Sequence, residues 1–457
     1  MIELILANTE NMKSIRMGRL LEIVSSPLLL FLVVTFVTLF VTCLISPTKR
    51  WYALGAMLFF SIPGPAVDFW KNWIQPPPPL DQLVLYGRSV TAASLVFAFV
   101  ILTSLMSQIR PIIVPPLVAW LYGMQTLLCL RHVSIGNVNE AAARWGVWTM
   151  VFVAFGIALP TLIYQRRNLF EPVKIMGLAI TIYALITAYE IAFFYHWGTN
   201  AHGRWLGITA NPNHAGLVGA LFTPALLACI FYKPIPKLLR FASIGVLGIV
   251  VVQTMLTGSR GAALTGIIAT AFYFRVQLGR LLLAVVPVAL VAYFTLGYLG
   301  EGTDSVSRLT STQNTRTESY AIAFERAMQN PIFGNTPGEI AFLENAYLGY
   351  FIHTGLIGMV VLGLAMWTGL ILVWKSIRIR SNLPESGPLV DAGIAGLAAV
   401  AANSMVEATF MSNLSQSIFV IYLYATLLHL AVKFGTEATQ PQLPVGTPMG
   451  VGSLMRA

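Results

Sequence analysis

Charged side chains are scarce in this chain: Asp, Glu, Lys and Arg make up 10% of its 457 residues, whereas hydrophobic residues make up 56%. Ordinary soluble domains carry roughly 25% charged residues, so the composition excludes a conventional soluble fold. Cysteine is nearly missing as well. Cys43, Cys129 and Cys229 all fall inside apolar runs, where they act as small apolar residues, and no disulfide framework or metal-binding Cys/His spacing results. No metal or cofactor is therefore expected. The net charge of +10 is spread over many short intervals and forms no basic module, which argues against a nucleic-acid partner. No period of repetition indicates a solenoid.

What fills the chain instead is a succession of apolar stretches of about 18 residues or more, as membrane-spanning helices require. Candidate spans lie near 27–45, 89–108, 112–130, 145–165, 172–195, 215–232, 239–257, 261–276, 280–299, 354–374, 387–409 and 414–432. The expectation is an all-α integral membrane protein of about 12 transmembrane helices, with a single membrane domain over 1–434. Residues 51–63 form an apolar run too short for a span, closed by Pro63 and Pro65, and read as interfacial. The segment 64–88, with Pro76 to Pro79, reads as a stiff extended loop. The first apolar stretch follows Lys13, Arg16 and Arg19 and has no small-residue cleavage site behind it, as in an uncleaved anchor. The polar 435–457 segment reads as a disordered cytoplasmic tail.

Charge sets an orientation. Arg166, Arg167 and Lys174, then Lys233, Lys237 and Arg240, then Arg275 and Arg280, then Lys375, Arg378 and Arg380 occupy alternate intervals. The positive-inside rule places these in the cytoplasm and the intervals near 200, 260, 300–343 and 410 outside. Twelve spans then put both termini inside. The large outward loop, about 300–343, is long enough to imply a role. Thr315 and Glu318 fit a capping box, Tyr320, Phe324, Ala327 and Met328 recur at helical spacing, and Asn330-Pro331 ends the pattern. An amphipathic helix lying against the membrane domain is expected there.

After residue 175 the outward intervals contain arginine and no lysine, whereas the cytoplasmic intervals use both. Topology penalises either cation equally, so the contrast points to a ligand that suits a guanidinium fork, and a diphosphate is such a ligand. Arg204, Arg260, Arg308 and Arg316 are the candidates, with helix starts expected near Asn213, Ser259, Thr315 and Glu344. Each start offers free backbone amides and a positive dipole end to an anion. The same arginines could equally anchor helix ends in the headgroup layer. Glu344 could accept a proton from a sugar hydroxyl, or simply stabilise a helix N-terminus. Asn211, Asn213 and His214 could bind sugar hydroxyls, although Asn-Pro-Asn is also an ordinary turn and cap sequence, and that role suits Asn213. Glu190 and His196 are costly at membrane depth and suit the lining of a polar cavity, and Glu407 suits an interfacial position.

Over roughly 200–375 the chain resembles the O-antigen ligase/polymerase superfamily of bacterial envelope glycosyltransferases. The resemblance rests on Arg204…Gly207…Asn211-Pro212-Asn213…Gly216, on Thr257-Gly258-Ser259-Arg260-Gly261, and on Arg316 with Asn330-Pro331-Ile332-Phe333-Gly334. It closes on Glu344-Asn345-Ala346-Tyr347-Leu348 and Gly355-Leu356-Ile357-Gly358. It implies about a dozen spans in the bacterial inner membrane and a large periplasmic loop. The implied reaction is inverting, metal-independent transfer of glycan from undecaprenyl diphosphate, on the periplasmic side. By resemblance Arg204, Arg260 and Arg316 hold the diphosphate and assist its departure, and the acceptor hydroxyl is activated at Glu344; Arg308, from its place in the outward loop, is a further diphosphate candidate, and Asn345 and Tyr347 are substrate-binding candidates. The family commonly has His-Asn where this chain has Glu344-Asn345, and often Glu at the position of His353. The acceptor would be a lipid-linked repeat unit for a polymerase, the leading reading, or lipid A core for a ligase. The resemblance leaves room for a chain-length regulator and a flippase as partners, beside membrane lipids. A transporter or flippase of lipid-linked sugars is the reading from another class; it would distribute charge through the midplane.

Overall fold

A computed structural model describes residues 27–63, 80–134, 136–195, 197–199, 203–209, 211–277, 317–335, 345–405, 407 and 415–439. All regular elements among them are helical: α1 Pro27–Ile45, α2 Arg50–Phe60, α3 Leu80–Met106, α4 Pro116–Ser134, α5 Val138–Arg166, α6 Glu171–Phe193 and α7 Pro212–Phe231. There follow α8 Lys237–Leu256, α9 Arg260–Tyr273, α10 Thr317–Gln329, α11 Ala346–Ile379, α12 Gly387–Asn403 and α13 Gln416–Thr439. Among the described residues, seven helices are long and apolar enough to cross a membrane, namely α3, α5, α6, α7, α8, α11 and α13. α1 and α12 are shorter apolar helices. The protein is thus all-α with the character of a multi-pass membrane protein. The expected spans at 280–299 and the tail from 440 lie outside the described residues.

α7 and α13 form the interior. Phe419, Tyr422 and Tyr424 of α13 and Phe222 of α7 are fully buried, and the Tyr424 hydroxyl donates to the Leu221 carbonyl at 2.9 Å. Small residues let the backbones approach, as in other membrane bundles. A Cβ on Gly216 would sit 2.7 Å from that of Ala262, and one on Gly396 would lie 2.3 Å from the Tyr424 ring. The outer helices show the opposite pattern. Leu238, Phe241, Ile267, Val360 and Leu370 are exposed, where a soluble protein would place charge.

The two ends of the bundle differ. At one end, Arg204 meets the turn before α9, and the Ala346 amide at the start of α11 donates to the Ser404 carbonyl at the end of α12 at 2.8 Å. At the other, Arg275 and Arg380 pair with Asp391, Arg50 with Glu171, and Arg167 with Glu437. These are called the Arg204 end and the Asp391 end. Lys174, Lys233, Arg240 and Arg378 also border the helix starts and ends at the Asp391 end, so the alternation of basic intervals read from the sequence is present in the structure.

Four expectations need correction. Residues 50–60 are not interfacial: α2 is buried along most of its length and packs on α6, where a Cβ on Gly55 would lie 2.9 Å from Leu178. Its charged start is tolerated because Arg50, 1% exposed, is matched bidentately by Glu171, as a buried charge requires. Eleven residues rise only about 16 Å, so α2 crosses about half a bilayer before the turn at Ser61–Pro63. Arg50 also fixes direction. α1 ends beside it, at the Asp391 end, and Phe36 midway along α1 meets Phe60 at the far end of α2. α1 therefore runs from the Arg204 end to the Asp391 end, opposite to the direction expected of a first span that starts on the basic side. The other corrections concern boundaries. Residues 80–88, expected in an extended loop, begin α3. The tail does not begin at 435, because α13 continues to Thr439. There Glu437 accepts from the Tyr164 hydroxyl at 2.5 Å and from Arg167 at 3.1 Å, contacts that favour the last helical turn.

The amphipathic helix stands as expected in place, with a different buried stripe. Ala323 and Ala327 of α10 pack on Ile352 of α11, whereas Phe324 and Met328 point outward. Small residues face the neighbouring helix because the backbones lie close. After α10 the chain turns at Asn330–Gly334 and plugs into a break in α11. Gly355 has φ +61 and ψ −158 inside that helix. The Leu356 amide, freed from helical bonding, donates to the Pro331 carbonyl at 2.8 Å, and the Asn335 amide donates to the Ile352 carbonyl at 2.6 Å. A Cβ on Gly355 would lie 2.3 Å from the Ile332 oxygen, and one on Gly334, at φ +79, 2.4 Å from the His353 carbonyl carbon. Only glycine fits either position.

Candidate anion site at the Arg204 end

Three helix starts at this end are built the same way. Asn211 accepts from the His214 amide at 2.9 Å, Ser259 from the Ala262 amide at 3.3 Å and Asn345 from the Leu348 amide at 2.9 Å. Each is an N-cap in extended backbone, and Pro212 supplies the first-turn proline. The tyrosine in the first turn of α10 joins them, since the Tyr320 hydroxyl donates to the Met405 carbonyl at 3.1 Å. Asn345 donates to the same carbonyl through its side-chain amide at 2.9 Å. The end of α12 thus gathers the starts of α10 and α11, and α12 packs directly on α7 and α9. Four positive dipole ends share one end of the bundle.

The segment before α7 is folded back into the protein. Trp205 is fully buried, its amide donates to the Leu256 carbonyl at 3.0 Å, and its ring stacks on Tyr195 at 5.8 Å between centroids. This carries Arg204 inside with it, leaving it 8% exposed. Arg204 Nε donates to the Thr257 carbonyl at 2.8 Å and Nη2 to Asn213 Oδ1 at 2.9 Å. The guanidinium therefore clamps the start of α7 to the turn that leads into α9. Gly258, at φ +59, makes that turn, and three residues after Thr257 stands Arg260, partly exposed as the first residue of α9. Arg204 and Arg260 are brought to one locus by the contact of Gly216 with Thr257, Ser259 and Ala262.

The nearby interior is polar. Gly207, at φ +53, lies against Glu190, so that a Cβ there would be 3.0 Å from Glu190 Oε2 and 3.1 Å from Trp205 Nε1. Glu190 is buried, and Gln253 donates through Nε2 to the Ala215 carbonyl at 3.1 Å and to the Tyr183 hydroxyl. Glu190 Oε2, Trp205 Nε1, His214 Nδ1 and Gln253 Oε1 have no hydrogen-bond partner among the described residues. A polar cavity lining was expected of Glu190, and its burial among these groups agrees. His196 lies outside the described residues.

The residues expected to act on substrate divide. Asn211 acts as a cap and Asn213 holds Arg204, so the structural role expected of Asn213 is shared between them. His214 is in the first turn of α7. Asn345 is a cap, and the Tyr347 hydroxyl donates to the Ala401 carbonyl at 2.9 Å. Glu344, Arg308 and Arg316 lie outside the described residues, and so does Thr315. Glu407 follows the end of α12, its amide bonded to the Asn403 carbonyl at 2.9 Å.

A second polar group at this end escaped the sequence reading, which weighed only outward intervals after residue 175. Arg131 donates through Nη2 to the Gly334 carbonyl at 2.8 Å, pinning the turn that plugs α11. Arg144 lies 3.2 Å from His132 Nε2 and pairs with Glu140. His353, buried beside the break, has an unpartnered Nδ1. His132 stands past the apolar run of α4; burial first, then the charge of Arg144, holds its imidazole below the usual value, with Glu140 acting the other way. The signal in the sequence was Arg131-His132 and Arg144 flanking Gly136, a polar interval of the same parity as those near 200 and 260.

An apolar cleft of about 560 Å³ opens between α2, α3 and α6. Phe60, Leu83, Tyr86, Ile186 and Tyr189 line it, and the residue after Tyr189 is the Glu190 that meets Gly207. The cleft therefore reaches toward the Arg204 end. Comparison with family models and with curated proteins yields no match.

Proposed function

We propose that the protein is a polymerase of bacterial surface polysaccharide, which moves glycan from undecaprenyl diphosphate onto a lipid-linked repeat unit at the Arg204 end, on the periplasmic face of the inner membrane. The observation that carries the reading is the clamp of Arg204 between Asn213 and the Thr257 carbonyl, one turn from Arg260, where the starts of α7 and α9 meet at the end of the bundle that α11 also starts from. Forked cations and free helix amides together suit a diphosphate. The apolar cleft beside α6 suits a prenyl chain, which needs an apolar path next to a polar headgroup site.

In this reading the acceptor hydroxyl oxygen attacks the anomeric carbon while the bond from that carbon to the diphosphate oxygen breaks. Prenyl diphosphate departs with the electron pair, and Arg204 and Arg260 stabilise the charge that accumulates on it. The acceptor proton passes to a base, assigned by family resemblance to Glu344.

The test is incubation of purified protein with lipid-linked repeat units, with product lengths resolved on a gel. Laddered products support the polymerase. Products formed only when lipid A core is supplied would make the protein a ligase, and relocation of intact substrate without bond exchange would make it a transporter.

A further inference from the structure

The Asp391 end holds a site unrelated to the transfer reaction. A cavity of about 180 Å³ lies between α7, α9 and the start of α12, and Phe231, Tyr273, Gln277, Arg380 and Asp391 are among its walls. One water's share of the liquid is about 30 Å³, so a small polar headgroup fits with solvent to spare.

Its electrostatics are specific. Asp391, buried in the second turn of α12, accepts from Arg380 Nε at 2.7 Å and Nη2 at 2.7 Å. Arg275 Nη2 lies 2.8 Å from Oδ1, the oxygen that also accepts from Arg380 Nε. Two guanidinium groups and one carboxylate leave a single positive charge, and the carboxylate is already saturated by its partners. Tyr273 lines the cavity, the residue is 5% exposed, and its hydroxyl oxygen has no hydrogen-bond partner among the described residues. A buried hydroxyl without a partner is costly, and an acceptor in the cavity would remove that cost. Glu385 is exposed and not a lining residue, while Lys233, Lys237 and Arg240 add positive charge to the same end. At the rim, Phe231 and Val276 are exposed apolar side chains, on a protein whose outer surface is apolar.

We propose that this cavity binds the headgroup of an anionic phospholipid, with the phosphodiester accepted by Arg380, Tyr273 and Gln277 and the acyl chains lying over Phe231 and Val276. A phosphodiester carries one negative charge, which matches the single net positive charge of the site. A zwitterionic lipid brings an ammonium group that Arg275 and Arg380 would repel. Basic pockets between membrane helices are apt for such headgroups.

The experiment measures lipid retained by the purified protein in native mass spectrometry, using phosphatidylglycerol and phosphatidylcholine with the same acyl chains. Wild-type protein should retain phosphatidylglycerol preferentially. Tyr273→Phe with Gln277→Leu should lower that preference about tenfold, as expected from loss of hydrogen bonds to a charged group, while phosphatidylcholine retention stays unchanged. Inorganic phosphate should not displace the bound phosphatidylglycerol. Equal retention of the two lipids by the wild type, or an unchanged preference in the double variant, overturns the proposal. Displacement by inorganic phosphate would mean a free-anion site and overturns it too. Should the double variant fail to elute as a single folded species, Tyr273→Phe alone, which removes only an unpartnered oxygen, is read by the same criteria.

Discussion

Arg204 is held by two acceptors on different segments, the Thr257 carbonyl and Asn213, and a lysine has no fork to serve both. Arg204→Lys should therefore lower transfer from a prenyl-diphosphate donor by about 10- to 100-fold, the equivalent of one charge-assisted hydrogen bond, while the protein still elutes folded. Retention of full turnover in that variant would remove the clamp from the mechanism. At this scale the sequence was most informative where a residue type has one dominant local use. Helix starts were expected near Asn213, Ser259 and Glu344, and the three caps stand at Asn211, Ser259 and Asn345, within two residues of them. It was least informative where a role depends on a distant partner. Nothing in Arg131-His132 says that Arg131 would bond to a carbonyl 203 residues later, and Ala323 and Ala327 did not look more buried than Phe324.

Long apolar runs made most helices legible, because a chain in lipid must satisfy its backbone within each segment. The break in α11 was not legible as a break, since Gly355 stands directly after His353-Thr354, at the start of the span expected from 354, and reads as an ordinary span boundary. Its meaning comes from the Asn330–Gly334 turn, whose carbonyls accept the amides that the break sets free. The two glycine-containing motifs that carried the family resemblance are thus two halves of one joint. Gly355→Ala should be destabilising by at least about 1–3 kcal/mol from the left-handed backbone alone, with further cost from overlap with the Ile332 oxygen. Gly334→Ala should behave alike. Thermal unfolding in detergent at the wild-type temperature for both variants would show that the joint does not need glycine. α2 escaped for a related reason: eleven residues beginning with an arginine look like an interfacial helix until Glu171 is placed beside Arg50.

For the whole molecule the main surprise is direction. Counting apolar runs and applying the charge rule sends α1 toward the side opposite the basic intervals, whereas its contact with α2 and the Arg50 pair send it to the same side as Arg380. The counting failed because a half-length helix contributes to a crossing without the length that marks one. In a cysteine-free background, Thr48→Cys and Ser381→Cys should label with a membrane-impermeant maleimide from the same side, and Asn137→Cys from the other. Labelling of Thr48→Cys together with Asn137→Cys would reverse the assigned direction of α1.

The Arg50–Glu171 pair also dictates a timetable for biosynthesis. When α2 leaves the ribosome its guanidinium has no counter-ion, and the matching carboxylate is made 121 residues later. An unpaired arginine is too costly to hold inside the bilayer. The buried seat of α2 is therefore completed only after α6 has been made, so an early helix should dock late.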